Sequence, residues 1–139
     1  MDESIKKKLI IAALGSLNNA YAPYSHFQVA AALLADSGQV YTGVNVENAS
    51  YPAGICAERN AIFHAAACGE RKIQAIAIVG GKFGKVTDYC SPCGVCRQVM
   101  REFAAPEELT ILLAKSENDY KEYTLEELLP ESFGPEFLE

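Results

Sequence analysis

No stretch of this sequence is apolar for long enough to cross a bilayer. The longest uninterrupted apolar run is Val29 to Ala35, whereas a spanning helix needs about 20 residues. Positive charge is also scarce: 12 Lys and Arg stand against 18 Asp and Glu, for a formal net charge of -6. Phosphate backbones are bound by basic faces, so neither nucleic acid nor membrane is the expected partner. The Lys6-Lys7-Lys8 run reads as the solvated start of a helix. The five cysteines are an odd number, which does not fit a fully paired disulfide framework. No N-terminal stretch joins a basic segment to an apolar run and a cleavage site. The expected compartment is therefore the cytoplasm, where clustered cysteines serve metals or catalysis more often than disulfides. No repeat, linker or low-complexity tract interrupts the 139 residues, so they read as one domain, 1–139.

What is present has the profile of a globular α/β protein, with 50% hydrophobic and 22% charged residues. Asp2 to Tyr21 repeats apolar residues at helical spacing (Ile5, Leu9, Ala13, Leu17, Tyr21). Phe27 to Ala35 suits a buried strand, Asp36 to Gln39 a hairpin turn and Val40 to Val46 the returning strand. After a loop over Asn48 to Gly54, an Ala-rich helix is expected from Ile55 to Cys68, ended by Gly69. Ile73 to Val79 is a second buried strand. Gly80 to Lys85 reads as a turn; it lacks the Gly-Lys-Ser/Thr that a phosphate loop requires. A further helix is expected near Ser91, with Ser91 as N-cap and Pro92 at the first helical position. Val95, Val99 and Phe103 would share one side of it. Leu109 to Ala114 reads as a strand and Ser116 to Tyr123 as a polar loop. Thr124-Leu125-Glu126-Glu127 is a capping box opening a short helix to Leu129. The order implies a layered α/β sheet with its central strand–helix units parallel.

Chemistry concentrates in Cys56, Cys93 and Cys96. The last two lie in Pro92-Cys93-Gly94-Val95-Cys96, a metal-ligand spacing that puts both sulfurs on one helix face. Cys56 sits near the start of the other central helix, where unpaired amides and the helix dipole favour thiolate over thiol. Three thiolates hold a zinc ion and leave the fourth tetrahedral position for water, whose pKa falls to roughly 7. Glu58, two residues after Cys56, is placed beside the metal to carry protons without being a ligand. Three thiolates around a dication leave a net negative charge that weakens the Lewis acid. Arg59 can offset it by donating hydrogen bonds to sulfur.

Other readings are open to the same residues. Cys90 lies three residues before Cys93 and could close a four-cysteine structural site, although Pro92 separates it from the helix. Cys68 would lie about 18 Å and His64 about 12 Å along the helix from Cys56 at 1.5 Å per residue, too far to share the ion. The sequence does not decide the place of His26.

Together these motifs resemble the cytidine deaminases, specifically the small homotetrameric class with three cysteine ligands. The resemblance runs over nearly the whole chain. It is carried by Tyr21-Ala22-Pro23-Tyr24-Ser25-His26-Phe27, by Gly43 to Tyr51, by Cys56-Ala57-Glu58-Arg59, by Pro92 to Gln98 and by Leu128 to Pro135. Zinc deaminases share a metal ligand followed by x-Glu, then Pro-Cys-x-x-Cys. The resemblance implies a three-layer fold with a mixed five-stranded sheet between helices. It implies Phe27 against the pyrimidine, Asn45 and Glu47 on the ribose 3′-hydroxyl, and the Ala57 backbone near the reacting centre. Asn45 and Glu47 lie two apart, so on a strand they share a face. It further implies a homotetramer in which Ala49, Tyr51 and Phe133 serve a neighbouring subunit's site. The implied reaction is hydrolytic: water activated by one zinc per subunit attacks C4 of cytidine or 2′-deoxycytidine while Glu58 moves the protons. Two alternatives keep the metal motif: a deaminase of another cytosine compound such as blasticidin S, and a non-catalytic zinc module in which Glu58 has no role.

Overall fold

The computed structural model describes residues 1–139. Its frame is one five-stranded sheet, formed by β1 (Phe27–Ala35), β2 (Val40–Val44), β3 (Ile73–Lys82), β4 (Thr110–Ser116) and β5 (Asp119–Thr124), in the order β2-β1-β3-β4-β5. β1 runs antiparallel to both β2 and β3, β3 and β4 pair in parallel, and β4 and β5 are antiparallel. β2 and β3 thus point the same way, with β1 between them. The crossover through helix α2 (Ala57–Ala67) steps over β1, and the crossover through α3 (Gly94–Phe103) joins direct neighbours.

The buried strands are apolar on both faces because both faces are covered. Ala30 and Ala32 of β1, Ala75, Ala77 and Val79 of β3, and Leu112 and Ala114 of β4 meet Leu9, Ile10 and Ala13 of helix α1 (Glu3–Ser16). The alternate positions, Ala31, Leu33, Ile76, Ile78, Ile111 and Leu113, meet α2, α3 and the short helix α4 (Leu125–Leu128). The small side chains on β1 and α2 bring helix and sheet backbones close together. Gly43 of β2 is the extreme case: a Cβ there would lie 2.7 Å from the Ala57 carbonyl oxygen and 2.8 Å from Ala61 Cα. Since α2 carries Cys56 and Glu58, this contact fixes the height of the site above the sheet.

Several expectations are corrected. The first helix does not reach Tyr21. It ends at Ser16 and passes through a 3₁₀ turn, Leu17–Asn19, because Tyr21 is drawn into an isolated bridge with Val46: its N–H donates to the Asn45 carbonyl and its carbonyl accepts from Glu47, both at 2.9 Å. β3 continues through Gly80 and Gly81 to Lys82, since these residues pair with Phe27, Gln28 and Val29. The turn falls at Phe83 and Gly84, both at positive φ. α3 starts at Gly94 with Cys93 as N-cap, and Ser91 and Pro92 precede it in non-helical backbone. Its buried stripe is Cys96, Met100 and Arg101, and Val95 is 58% exposed. The segment read as a polar loop contains β5. This strand closes the sheet as an edge, where charged residues are ordinary, and the Lys6 Nζ–Glu122 pair at 2.6 Å ties α1 to it. The capping box holds: the Thr124 side chain accepts from the Glu127 N–H, and the Glu127 carboxylate accepts from the Thr124 N–H.

Gly43→Ala should lower stability by about 1–3 kcal/mol, the ordinary cost of overpacking, read from the midpoint of urea unfolding. Thr124→Ala should cost about 0.5–2 kcal/mol as the loss of one cap.

Candidate active site

Two helix N-termini converge at one end of the sheet. Cys56 is the N-cap of α2 and Cys93 the N-cap of α3; both have extended backbone, and neither makes a side-chain capping bond. Cys96 lies in the first turn of α3 and is fully buried. The three sulfurs lie within 4.8 Å of one another, and the Cys56 and Cys93 sulfurs are 3.9 Å apart. Neutral thiols gain little from such crowding, whereas three thiolates are the donor set of a tetrahedral zinc site with one open position. The Cys56 thiol is lowered to about 5, first by the hydrogen bond from Cys96 and then by Arg59 and Cys93, against the opposing effect of burial. Arg59 Nη2 donates to Cys56 Sγ at 3.4 Å. Arg59 Nε is buried with no partner, so the guanidinium keeps a donor free beside the sulfurs. The bond to Cys56, and next burial, raise the Cys96 thiol; a metal dication reverses that logic by deprotonating the thiols it binds.

Glu58 occupies the first turn of α2 and is only 4% exposed. Burial, and next the negative charge at Cys56, push its carboxyl up to about 7. A carboxyl held near neutrality both accepts and returns a proton at little cost.

Cys56, Glu58, Arg59 and Cys93 line a cavity of about 600 Å³, together with Phe27, Asn45, Glu47 and Ala57, and Cys96 lies buried behind them. Glu47 Oε1 accepts from the Tyr24 N–H at 3.0 Å and the Ser25 N–H at 3.1 Å, and Oε2 accepts from the Ser25 hydroxyl. The Ser25 hydroxyl and these amides hold the Glu47 carboxyl below its usual range, so Glu47 is a fixed anion. Asn45 extends the ladder sideways: Oδ1 accepts from the Val29 N–H at 2.9 Å and Nδ2 donates to the Phe27 carbonyl at 2.8 Å. One amide N–H and one lone pair remain for a ligand. Phe27 is 40% exposed and Ala57 is fully buried in the wall.

The remaining expected residues divide between the cavity rim and the outer surface. Tyr51 stands at the cavity of its own chain, 78% exposed and edge-on to Tyr24. Ala49 and Phe133 are exposed and do not line that cavity. Cys90 lines the cavity but does not join the sulfur cluster; it packs over Gly80, and burial pushes its thiol up to about 11. The four-cysteine reading therefore fails. Cys68 and His64 are exposed, and His64 Nδ1 lies 3.2 Å from the Thr42 carbonyl oxygen. His26 is exposed and stacks on Phe83 with centroids 5.0 Å apart. Sequence reasoning missed Ser25. Besides holding Glu47, its hydroxyl accepts from the Phe27 N–H at 3.0 Å. The signal was there: a serine two residues before a strand's first N–H is a common turn pattern.

Three converging cysteines beside a buried carboxylate fit one class, the zinc-dependent hydrolytic enzymes. Comparison with known proteins narrows this. Residues 3–112 match the family model described as the cytidine and deoxycytidylate deaminase zinc-binding region. A cytidine deaminase of Halalkalibacterium halodurans is 44% identical over 131 residues, covering 94% of this chain and 96% of that one. A cytidine deaminase of Sporosarcina psychrophila is 42% identical over 132 residues, covering 95% and 93%. The crystal structure of a cytidine deaminase from Burkholderia pseudomallei superposes with a TM-score of 0.81 at 44% identity, covering 91% of this chain and 97% of that one. The chain belongs to the cytidine deaminase family, and its Cys56, Cys93 and Cys96 fit the family's zinc.

Metal analysis of the purified protein should give one zinc per chain. Cys56→Ser, Cys93→Ser and Cys96→Ser should each lose it, and Cys90→Ser should keep it. Arg59→Ala should keep the site but weaken zinc binding about 10- to 100-fold, the usual scale for groups that hydrogen-bond a metal's ligands.

Proposed function

We propose that this chain hydrolyses the exocyclic amine of cytidine and 2′-deoxycytidine, giving uridine and 2′-deoxyuridine plus ammonia, in the salvage of pyrimidine nucleosides. The observation that carries the reading is that Glu58, 4% exposed, lines one cavity with Cys56 and Cys93 of the three-sulfur cluster and with the fixed anion Glu47. The names of the curated relatives, cytidine deaminases, support the substrate.

Cys56, Cys93 and Cys96 would hold zinc, which would supply a water acidified to a pKa of roughly 7. Glu58 would take one proton from that water as its oxygen adds to C4 and deliver it to N3, then take the remaining proton from the new C4 hydroxyl and pass it to the amine as the C4–N bond breaks and the C4 carbonyl forms. One carboxylate can do both because its buried site leaves the charged and neutral forms close in energy. Phe27 packs against the pyrimidine. Glu47 and the remaining N–H of Asn45 take the ribose 3′-hydroxyl, and the Ala57 backbone faces the reacting end. Residues 1–139 act as one domain in the cytoplasm, on a free nucleoside rather than a nucleic acid. Four copies assemble, and Ala49, Tyr51 and Phe133 of one copy complete a neighbour's site.

Loss of ultraviolet absorbance on mixing with cytidine, with ammonia assayed in parallel, tests the reaction. Glu58→Gln should bind zinc as the wild type does and lose about 10²- to 10⁴-fold in kcat, the worth of a general acid–base. Glu47→Gln should cut kcat/KM about 10- to 100-fold with zinc unchanged, consistent with one hydrogen bond to a charged group. A zinc-loaded wild type that turns over blasticidin S but not cytidine would sink the nucleoside assignment. Sedimentation as a monomer at assay concentration would sink the shared-site arrangement.

A further inference from the structure

The segment after α4 is held in an unusual way. Its large apolar side chains are largely in solvent: Phe133 is 55%, Phe137 64% and Leu138 81% exposed. The rings of Phe133 and Phe137 stack with centroids 5.1 Å apart. What fixes the segment is polar and comes from one helix. Arg101 of α3 is only 9% exposed. Its Nε donates to Ser132 Oγ at 2.8 Å, and its Nη2 pairs with the Glu136 carboxylate. Gly134 lies against the guanidinium so closely that a Cβ would collide with Cζ and both terminal nitrogens. Gln98 Nε2 donates to the Phe133 carbonyl at 2.8 Å, and Arg97 Nη1 donates to the Leu128 carbonyl at 2.5 Å. Arg97, Gln98 and Arg101 fall at helical neighbour spacing and so form one flank of α3. The first turn of the same helix carries Cys93 and Cys96.

Burying a guanidinium is costly unless its donors are matched. Here they are spent on the residues that bracket Phe133. The result is an aromatic ring held firmly by its backbone and turned outward. It does not line its own chain's cavity, whose wall presents the partly exposed rings of Phe27 and Tyr51.

We propose that Arg101 is a positioning residue for the reaction: by clamping Ser132, Gly134 and Glu136 it aims Phe133 into the cavity of a second copy of this chain, and so sets substrate affinity there. The proposal rests on the reading of Phe133 as a contact to a neighbouring site. It adds the device that holds the ring, and it makes α3 a common reference for the zinc ligands at its start and the ring it lends to another copy.

The test is a double-mutant cycle on the zinc-loaded enzyme with cytidine, using Arg101→Met, Phe133→Ala and both together. Phe133→Ala should raise KM about 3- to 10-fold, the worth of one aromatic contact. Arg101→Met should raise KM by a similar factor while kcat and zinc content stay near wild type. The double variant should be no worse than Phe133→Ala, because both changes remove one interaction. A merely structural arginine would lower the melting temperature and give KM effects that multiply, and that overturns the proposal. So does an unchanged KM in Arg101→Met when Phe133→Ala raises it. An unchanged KM in Phe133→Ala overturns the reading of Phe133 and the clamp with it. If Arg101→Met fails to fold, Ser132→Ala combined with Glu136→Gln removes the same contacts from the other side and should raise KM in the same direction; no rise there overturns the proposal.

Discussion

Three sulfurs within 4.8 Å of each other impose the constraint around which the rest of the molecule is arranged. As thiolates they repel, and only a cation among them and positive potential behind them make the cluster stable. The fold supplies the potential twice, by ending two strand-to-helix crossovers with cysteine N-caps. Arg59 adds a full charge at 3.4 Å from Cys56 Sγ. The crossovers in turn need helices lying close on one face of the sheet, which is why alanines and Gly43 line that face.

The same crowding prepares Glu58. A carboxylate next to thiolates and nearly sealed from water is poorly solvated as an anion, so its protonated form becomes accessible near neutral pH. Glu47, on the opposite side of the electrostatic scale, is surrounded by donors and stays charged. Two carboxylates in one cavity thus differ in proton affinity through environment alone. One is suited to moving protons and the other to holding a hydroxyl.

The sequence was most informative where the chemistry is local. The Cys-Ala-Glu and Pro-Cys-x-x-Cys motifs point to the three sulfurs that the fold brings together, because that spacing is a metal-ligand spacing. β1 matches its expected bounds of Phe27–Ala35 because both sheet faces are covered along most of it and only Gln28 interrupts the apolar run. β5 was hidden because an edge strand with half of its residues exposed carries Asp, Lys and Glu like a loop. The start of α3 was misplaced because Ser91-Pro92 mimics a cap and first turn, whereas Cys93 takes the cap position. The hold of Ser25 on Glu47 and the Arg101 clamp were illegible for another reason: the partners, Glu47, Ser132 and Glu136, lie 22 to 35 residues away. Only the folded chain brings them into contact.

The polar edge of the sheet has a consequence for how copies of the chain can meet. β5 ends the sheet with Asp119, Lys121 and Glu122 exposed, and a row of alternating charges opposes the addition of another chain's strand. Growth by ribbon-like extension, the route to open-ended fibres, is thereby discouraged.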